Sequence, residues 1–443
     1  MMAKRPPAVR RISPSRSAKS ADWAFHADDV EVLEALAEGR HASSLREYFG
    51  APAYAELSAL AMAARKCGKP RGPRVLILPG IMGSKLGGRL RKGRTHSRGG
   101  AHQVLWIDPL QIAAGRLTAL ALPSEVALRP MGVLLFSYAR LKLRLQIDGC
   151  DAGFHSYDWR LGLDELGAGL AARIRAEDRP VILVAHSMGG LVARMAARNL
   201  PKRLVRRLIM LGTPNQGSFA PVQALRGTYP FVRRISTLDR NHSAEYLSEK
   251  VFHTFPGLYH MLPLVKAVKG LDLFDPADWP ADGPAPNPQL LRQVAGVRAG
   301  LATVDSRMVH IVGVNQETVI GLRSTAAGFE YLMDRNGDGT VPLSLARVPK
   351  LKCYFVDESH ADLANNARVI QAVIDIVHRG RTDGLPQRWR AKPGVVRHID
   401  DAELRTEGNE KIDWRRLTPA QREAVFAALD SGRLLPAARH PVA

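Results

Sequence analysis

Apolar residues along this chain follow two rhythms. Short unbroken runs occur at Val75–Leu78, Val181–Val184, Leu208–Leu211, Val309–Val314 and Cys353–Val356. Longer stretches with helical spacing separate them. A strand covered on both faces needs apolar side chains at every position rather than at alternate ones, so these runs point to parallel strands under helices. The pattern predicts an α/β architecture with a mostly parallel, doubly wound sheet. Ahead of the first run, residues 28–66 read as helical. Asp28 with Glu31 forms a capping box, Val30, Leu33 and Leu36 follow at helical spacing, and Gly39 ends the helix. A second helix is predicted from about Pro52 to Lys66.

Two stretches break the strand–helix rhythm. Residues 219–305 carry Tyr229, Phe231, Phe252, Phe255, Tyr259, Phe274 and Trp279 and a Pro-rich patch from Pro276 to Pro288. They are too long for a connection within a compact domain and read as a lid or cap insertion. Residues 84–150 form a smaller insertion, basic and Gly-rich at its start. The chain thus divides into a disordered basic tail at 1–27, an N-terminal helical segment at 28–68, a sheet domain at 70–380 carrying both insertions, and a C-terminal extension at 381–443. In that extension Thr418–Gln421 caps a short helix predicted to run to about Asp430.

Composition narrows the class. An apolar share of 46% in 443 residues supports a sizeable core and excludes a disordered chain. No stretch approaches the roughly 20 apolar residues of a spanning helix. Cys67, Cys150 and Cys353 are too few and too scattered for a disulfide framework or a thiolate metal site, so neither metal nor cofactor is expected. The basic amino terminus lacks an apolar signal core, which predicts a cytoplasmic protein.

The net charge of +21 is uneven: residues 1–20 carry +6 and residues 71–147 carry +11. Such a surplus suits nucleic acid, anionic lipid or solubility alone.

The clearest chemistry lies at Ala185-His186-Ser187-Met188-Gly189-Gly190, directly after the V-I-L-V run and before a helical pattern. A serine on a sharp strand-to-helix turn projects its hydroxyl clear of the backbone, and the turn demands small residues two before and two after it. Ala185 and Gly189 meet that demand, although Ala185 departs from the commoner Gly. A serine hydroxyl needs a base, and in α/β-hydrolases the chain order is Ser, acid, His. Asp338 in Gly337-Asp338-Gly339-Thr340 and His360 in Ser359-His360-Ala361-Asp362 follow strand-like runs, where loops at the carboxyl ends of strands bind ligands. Asp338 is assigned to orient the imidazole and His360 to act as base and then acid, with Asp334 and Asp357 as alternative acids. His186 and His310 read as structural. The oxyanion hole is assigned to the backbone N–H groups of Met188 and of Ile81 in Pro79-Gly80-Ile81-Met82-Gly83-Ser84, with Met82 in reserve. Asp334–Gly339 imitates the start of a calcium loop, but its twelfth position is Leu345 rather than Glu.

P-G-I-M-G-S at 79–84, Y-D-W-R at 157–160, A-H-S-M-G-G at 185–190, L-G-T-P at 211–214, G-D-G-T-V-P at 337–342 and S-H-A-D-L at 359–363 occur in that order. Together with F-P-G-L-Y at 255–259 they resemble the lecithin:cholesterol acyltransferase family of α/β-hydrolases, in a bacterial-type form, over roughly residues 70–380. The resemblance implies an α/β-hydrolase fold and a serine acyl hydrolase or O-acyltransferase acting on lipid esters through acyl-Ser187, with Ile81 and Met188 holding the oxyanion. It implies an Asp158–Arg160 charge pair behind the site, with Trp159 packed. It also implies that the insertion at 84–150 docks on lipid, here through Lys85, Arg89, Arg91, Lys92, Arg94 and Arg98 beside apolar Val104, Leu105, Trp106 and Ile107, on an anionic membrane surface; the same residues read equally as a solvated basic loop over a core strand. The family's best-known members are secreted or lysosomal and carry disulfides, so compartment and substrate do not carry over.

Other readings are a soluble esterase or thioesterase for small acyl groups, which the long aromatic insertion disfavours, and a basic nucleic-acid- or membrane-binding pseudoenzyme. No nucleic-acid motif accompanies the charge, and aromatics do not interleave with the basic runs.

Overall fold

The computed structural model describes residues 23–88, 103–264, 268, 270–326, 328–390, 395–406, 410–418, 421, 422 and 425. Its strands are β1 (Arg74–Leu78), β2 (Ser84–Gly88), β3 (Gln103–Trp106), β4 (Arg129–Val133), β5 (Asp151–Phe154), β6 (Val181–His186), β7 (Val205–Leu211), β8 (Met308–Val314), β9 (Thr318–Thr325), β10 (Gly328–Asp334), β11 (Lys352–Asp357) and β12 (Arg397–Asp400). Six of them form one sheet in the order β11-β8-β7-β6-β1-β5, every neighbouring pair parallel. All five apolar runs fall within this sheet. β5, with the short and weakly apolar sequence D-A-G-F, gave no comparable signal.

The unbroken runs have a simple cause. In β6, Val181, Leu183 and Ala185 enter one core while Ile182 and Val184 enter the other. β1 and β7 divide in the same way, Leu76 and Leu208 to the first core, Val75 and Ile209 to the second. Side chains alternate across a strand, so burial on both faces removes the polar half of the pattern. Helices Leu163–Arg175 and Met188–Arg198 contribute to the first core, and Leu135–Ile147 and Ala367–Arg379 to the second.

The N-terminal helices pack on the second face. Asp28 accepts the Glu31 N–H at 2.8 Å, and Gly39 ends the helix Asp29–Glu38 at φ 70°. A further helix, Ala42–Phe49, precedes the expected one, which spans Ala51–Lys66. Within the stretch 1–27 expected as a tail, Trp23–His26 is a helix with Ala24 and Phe25 buried. Residues 1–22 lie outside the described residues. So does most of the helix expected to about Asp430, although Thr418 and Gln421 exchange the reciprocal capping bonds, at 2.9 and 3.3 Å.

The insertion at 84–150 builds a small antiparallel sheet, β3-β2-β4. Its interior corrects the expected lipid-facing rim. Lys85 is 2% exposed, donates to the Ala27 carbonyl at 2.7 Å and pairs with Asp29 at 3.2 Å. Leu105, Trp106 and Ile107 are buried in the first core, and Val104 is buried as well. Arg89, Arg91, Lys92, Arg94 and Arg98 lie outside the described residues. The insertion at 219–305 folds into short helices, and here too expectation and structure differ. Phe252, Phe255, Tyr259 and Trp279 are buried in the first core, Phe274 packs against it, and only Tyr229 and Phe231 of the seven face the cavity described below. No helix among the described residues is long and apolar enough to cross a membrane.

Candidate active site

The sheet order reverses between β1 and β6. The chain leaves β1 toward β5 on one side, then resumes at β6 on the other. In open parallel sheets the loops at such a switch point part and leave a crevice at the carboxyl ends of the strands. The turn after β1 (Pro79–Gly83) and Ser187 after β6 meet there.

Ser187 stands between β6 and the helix Met188–Arg198 with φ 53° and ψ −124°, a region that non-glycine residues rarely enter. Its N–H donates to the Leu211 carbonyl at 2.8 Å, which ties the strained turn to β7. Close approach accounts for the small neighbours. A Cβ on Gly189 would lie 2.5 Å from the Pro79 carbonyl oxygen, and one on Gly80 would lie 2.9 Å from the Ser187 Cβ.

The structure brings the three side chains assigned from the sequence together. The Ser187 hydroxyl and His360 Nε2 are 2.9 Å apart, and His360 Nδ1 and Asp338 Oδ2 are 2.8 Å apart. Asp338 is buried, and its other oxygen accepts the N–H groups of Thr340 at 3.0 Å and Val341 at 2.7 Å. The His360 N–H donates to the Asp338 carbonyl at 2.7 Å, so the acid holds both the ring and the backbone of the histidine. Gly212, at φ 56°, clears space beside them; a Cβ there would be 3.0 Å from His360 Nδ1. The alternative acids are engaged elsewhere. Asp334 caps Asn336 at 2.6 Å, and Asp357 accepts from Asn315 and Gln316. Chemically, this arrangement lets an imidazole take the serine proton while a carboxylate fixes the ring tautomer with hydrogen on Nδ1.

The turn after β1 is pinned at nearly every residue. The Tyr157 hydroxyl donates to the Pro79 carbonyl at 2.6 Å, Trp106 Nε1 to the Met82 carbonyl at 2.7 Å, and Trp159 Nε1 to the Ser84 carbonyl at 3.0 Å. Of the assigned oxyanion donors, Ile81 sits in this pinned turn and lines the same cavity as Ser187, and Met188 directly follows Ser187 at the first turn of its helix. Preorganised N–H groups need no rearrangement as charge develops. The Y-D-W-R segment works from behind. Arg160 makes a two-point pair with Asp158, at 2.8 and 2.6 Å, and also donates to the Leu120 carbonyl at 3.0 Å.

A relay links this turn to the histidine. The Gly80 N–H donates to the Tyr138 hydroxyl at 3.0 Å, Tyr138 meets His186 Nδ1 at 2.9 Å, and His186 Nε2 meets the His360 carbonyl at 2.9 Å. A carbonyl only accepts, so His186 carries its proton on Nε2 and the Tyr138 O–H donates to Nδ1. Burial first, and then the neighbouring His360, push His186 down to about 3, so the ring is neutral. Tyr138 gave no signal in the sequence. Substituting Tyr138→Phe should lower kcat about tenfold with KM little changed, because the Gly80 N–H and His186 both lose a partner. Steady-state kinetics on a chromogenic ester check this; kcat within twofold of the unaltered protein would remove the relay from catalysis.

Buried neutral histidines also set an acid limit. Burial holds His310 at about 3 and His260 at about 4, alongside His186. Their unfolded counterparts titrate near 6.5, so below that pH the unfolded chain binds more protons. Each ring's contribution is complete above about pH 7 and falls by up to about 1.4 kcal/mol per unit as pH drops toward 4. The melting temperature should decline steadily from pH 7 to pH 5. A flat profile across that range would contradict it.

Ser187 and His360 open into a cavity of about 630 Å³ whose apolar lining includes Ile81, Met82, Trp106, Phe231, Val319 and Met333. This is the size and character of a small-molecule pocket. Among the described residues, Asp148, Cys150 and His378 have donors that converge, with Asp148 Oδ2 and His378 Nε2 at 2.5 Å and Cys150 Sγ at 3.8 Å from that nitrogen. They lie at the amino end of β5, away from Ser187. Burial pushes the Cys150 thiol up to about 11.

The six parallel strands, the flanking helices and the strained serine at the switch point are those of the α/β-hydrolase fold. Within that fold, residues 169–268 match the PGAP1-like alpha/beta domain family. The match spans the serine turn but not Asp338 or His360. No curated protein matches the chain. Solved structures similar to it include the propeptide form of lipase BlEst2 from Bacillus licheniformis, at 16% identity and a TM-score of 0.32, covering 65% of this chain and 46% of that one. The Tle4–Tli4 complex aligns at 14% identity and a TM-score of 0.40, covering 72% of this chain and 100% of that one. A deformylase from Pseudomonas putida S16 aligns at 14% identity and a TM-score of 0.24, covering 66% and 86%.

Proposed function

We propose that this chain is a serine hydrolase of lipid acyl esters that works through an acyl-Ser187 intermediate. The observation that carries the reading is the hydrogen-bonded series Ser187–His360–Asp338 at the floor of a largely apolar cavity. His360 takes the Ser187 proton as Oγ attacks the ester carbonyl. The N–H groups of Ile81 and Met188 stabilise the oxyanion, and His360 then returns the proton to the leaving alcohol. In the second half, water or an acceptor alcohol gives its proton to His360 and attacks the acyl group; the acyl–Oγ bond of Ser187 then breaks, and His360 returns the proton to Oγ as the fatty acid or new ester leaves. Transfer to an alcohol is the activity that the likeness to the lecithin:cholesterol acyltransferase family adds.

The test is incubation with a defined panel of phospholipids and neutral lipid esters, with and without a long-chain alcohol, followed by mass spectrometry. Released fatty acid, or a new ester when alcohol is present, is the expected result. No turnover of any ester overturns the reading.

The basic charge supports a second element, peripheral contact with anionic membranes, although Lys85 and the apolar residues 104–107 are not available for it. The protein is expected to sediment with anionic but not neutral liposomes, less so at high salt. Equal sedimentation with both would refute the contact.

A further inference from the structure

The C-terminal extension is remote from the serine in sequence but not in space. β12 pairs antiparallel with β10, Ile399 opposite Tyr331 and Arg397 opposite Met333, and the helix Asp401–Thr406 follows at once. Arg397, Ile399 and Leu404 line the same cavity as Ser187 and His360, together with Val319 of β9 and Met333 of β10. Ile399 and Leu404 are apolar and nearly buried, each 5% exposed.

A buried lock holds this segment in place. Asp401 has no exposed surface; it accepts from Arg226 Nε at 2.9 Å, the Tyr331 hydroxyl at 2.8 Å and the Phe329 N–H at 3.2 Å. The Arg226 side chain, equally buried, gives its other N–H groups to Asp282 at 2.8 Å and to the carbonyls of Pro280 and Pro284, each at 3.1 Å. Arg226 directly follows the helix Ala220–Leu225, whose Ala220, Pro221 and Ala224 also line the cavity. One charge pair thus joins the C-terminal segment, the β9–β10 hairpin and the insertion at 219–305 into a continuous wall.

We infer that residues 397–406 are a wall of the acyl pocket and that Ile399 and Leu404 set the length of acyl chain the site accepts. The inference rests on reading the cavity as an acyl-ester site. Added bulk at either position takes the space of methylenes that a long chain would bury, whereas a short chain does not reach so far. One methylene more or less in an apolar pocket changes selectivity by about 10-fold to 200-fold.

The experiment measures kcat/KM for nitrophenyl esters from butyrate to palmitate in the full chain and in Ile399→Phe and Leu404→Phe. The palmitate-to-butyrate ratio should fall at least about tenfold in one or both. Ile399→Val and Leu404→Ala, which remove volume, should move the ratio the other way and keep the test open if the larger side chains prevent folding, as thermal melts would report. A ratio unchanged across the folded variants overturns the inference alone. Failure of the unaltered protein to turn over any of these esters, with Ser187 also unreactive to a fluorophosphonate, removes the acyl-ester reading and the inference with it.

Discussion

Substituting Ser187→Ala is expected to lower ester turnover about ten-thousandfold or more and to abolish covalent labelling by a fluorophosphonate probe. The size of the effect follows from the geometry. The Ser187 hydroxyl meets His360 Nε2 at 2.9 Å, and the other cavity serines whose partners are known point elsewhere: Ser218 to the Thr340 carbonyl and Ser359 to Asp362 at 2.7 Å. Removing one oxygen leaves the fold intact, since the Ser187 backbone is held by Leu211 rather than by its side chain. His360→Ala should cost nearly as much, because nucleophile and base act as a unit. Persistent labelling of the Ser187→Ala variant, located by peptide mass spectrometry, would move the nucleophile to another residue.

The second large effect is on stability. Asp401→Ala should cost about 3–5 kcal/mol, because it takes the buried carboxylate from the Arg226 guanidinium and leaves it only the half-exposed Asp282. Both side chains have no exposed surface, and the Phe329 N–H and Tyr331 hydroxyl lose their acceptor at the same time. The damage should begin locally. Arg405, the next attachment of the segment, pairs with the half-exposed Asp282 at 2.8 Å, so the stretch around residues 397–406 should become protease-sensitive before the sheet domain unfolds. Urea denaturation gives the magnitude and limited proteolysis the location. A loss below about 1 kcal/mol would mean that the pair is not desolvated as the structure has it.

What could be read from residues in order was what neighbours in order decide. The five apolar runs marked five of the six parallel strands because each residue of a doubly covered strand must be apolar. β5 escaped because a short strand with Asp and Gly carries no such mark. The serine turn was legible for the same local reason: a tight strand-to-helix turn needs small residues at fixed offsets, and Ala185 and Gly189 stand there. Asp338 and His360 could be proposed from chain order and family likeness, but only the structure brings their side chains within hydrogen-bonding distance of each other and of Ser187.

The rest was decided by contacts between residues far apart in the chain. Lys85 looked like one of a run of surface cations, yet it is buried against Asp29. Phe252, Phe255, Tyr259 and Trp279 looked like a lid facing substrate and are core. Tyr138 bridges Gly80 to His186, and Ile399 and Leu404 reach the cavity from an extension that looked like an appendage. Backbone strain, capping and two-sided burial act over a few residues, so the sequence by itself determined the sheet, its helices and the serine turn. Which polar groups pair inside, and which apolar faces meet one another rather than solvent or substrate, depends on where distant segments close, and that only the tertiary structure decided.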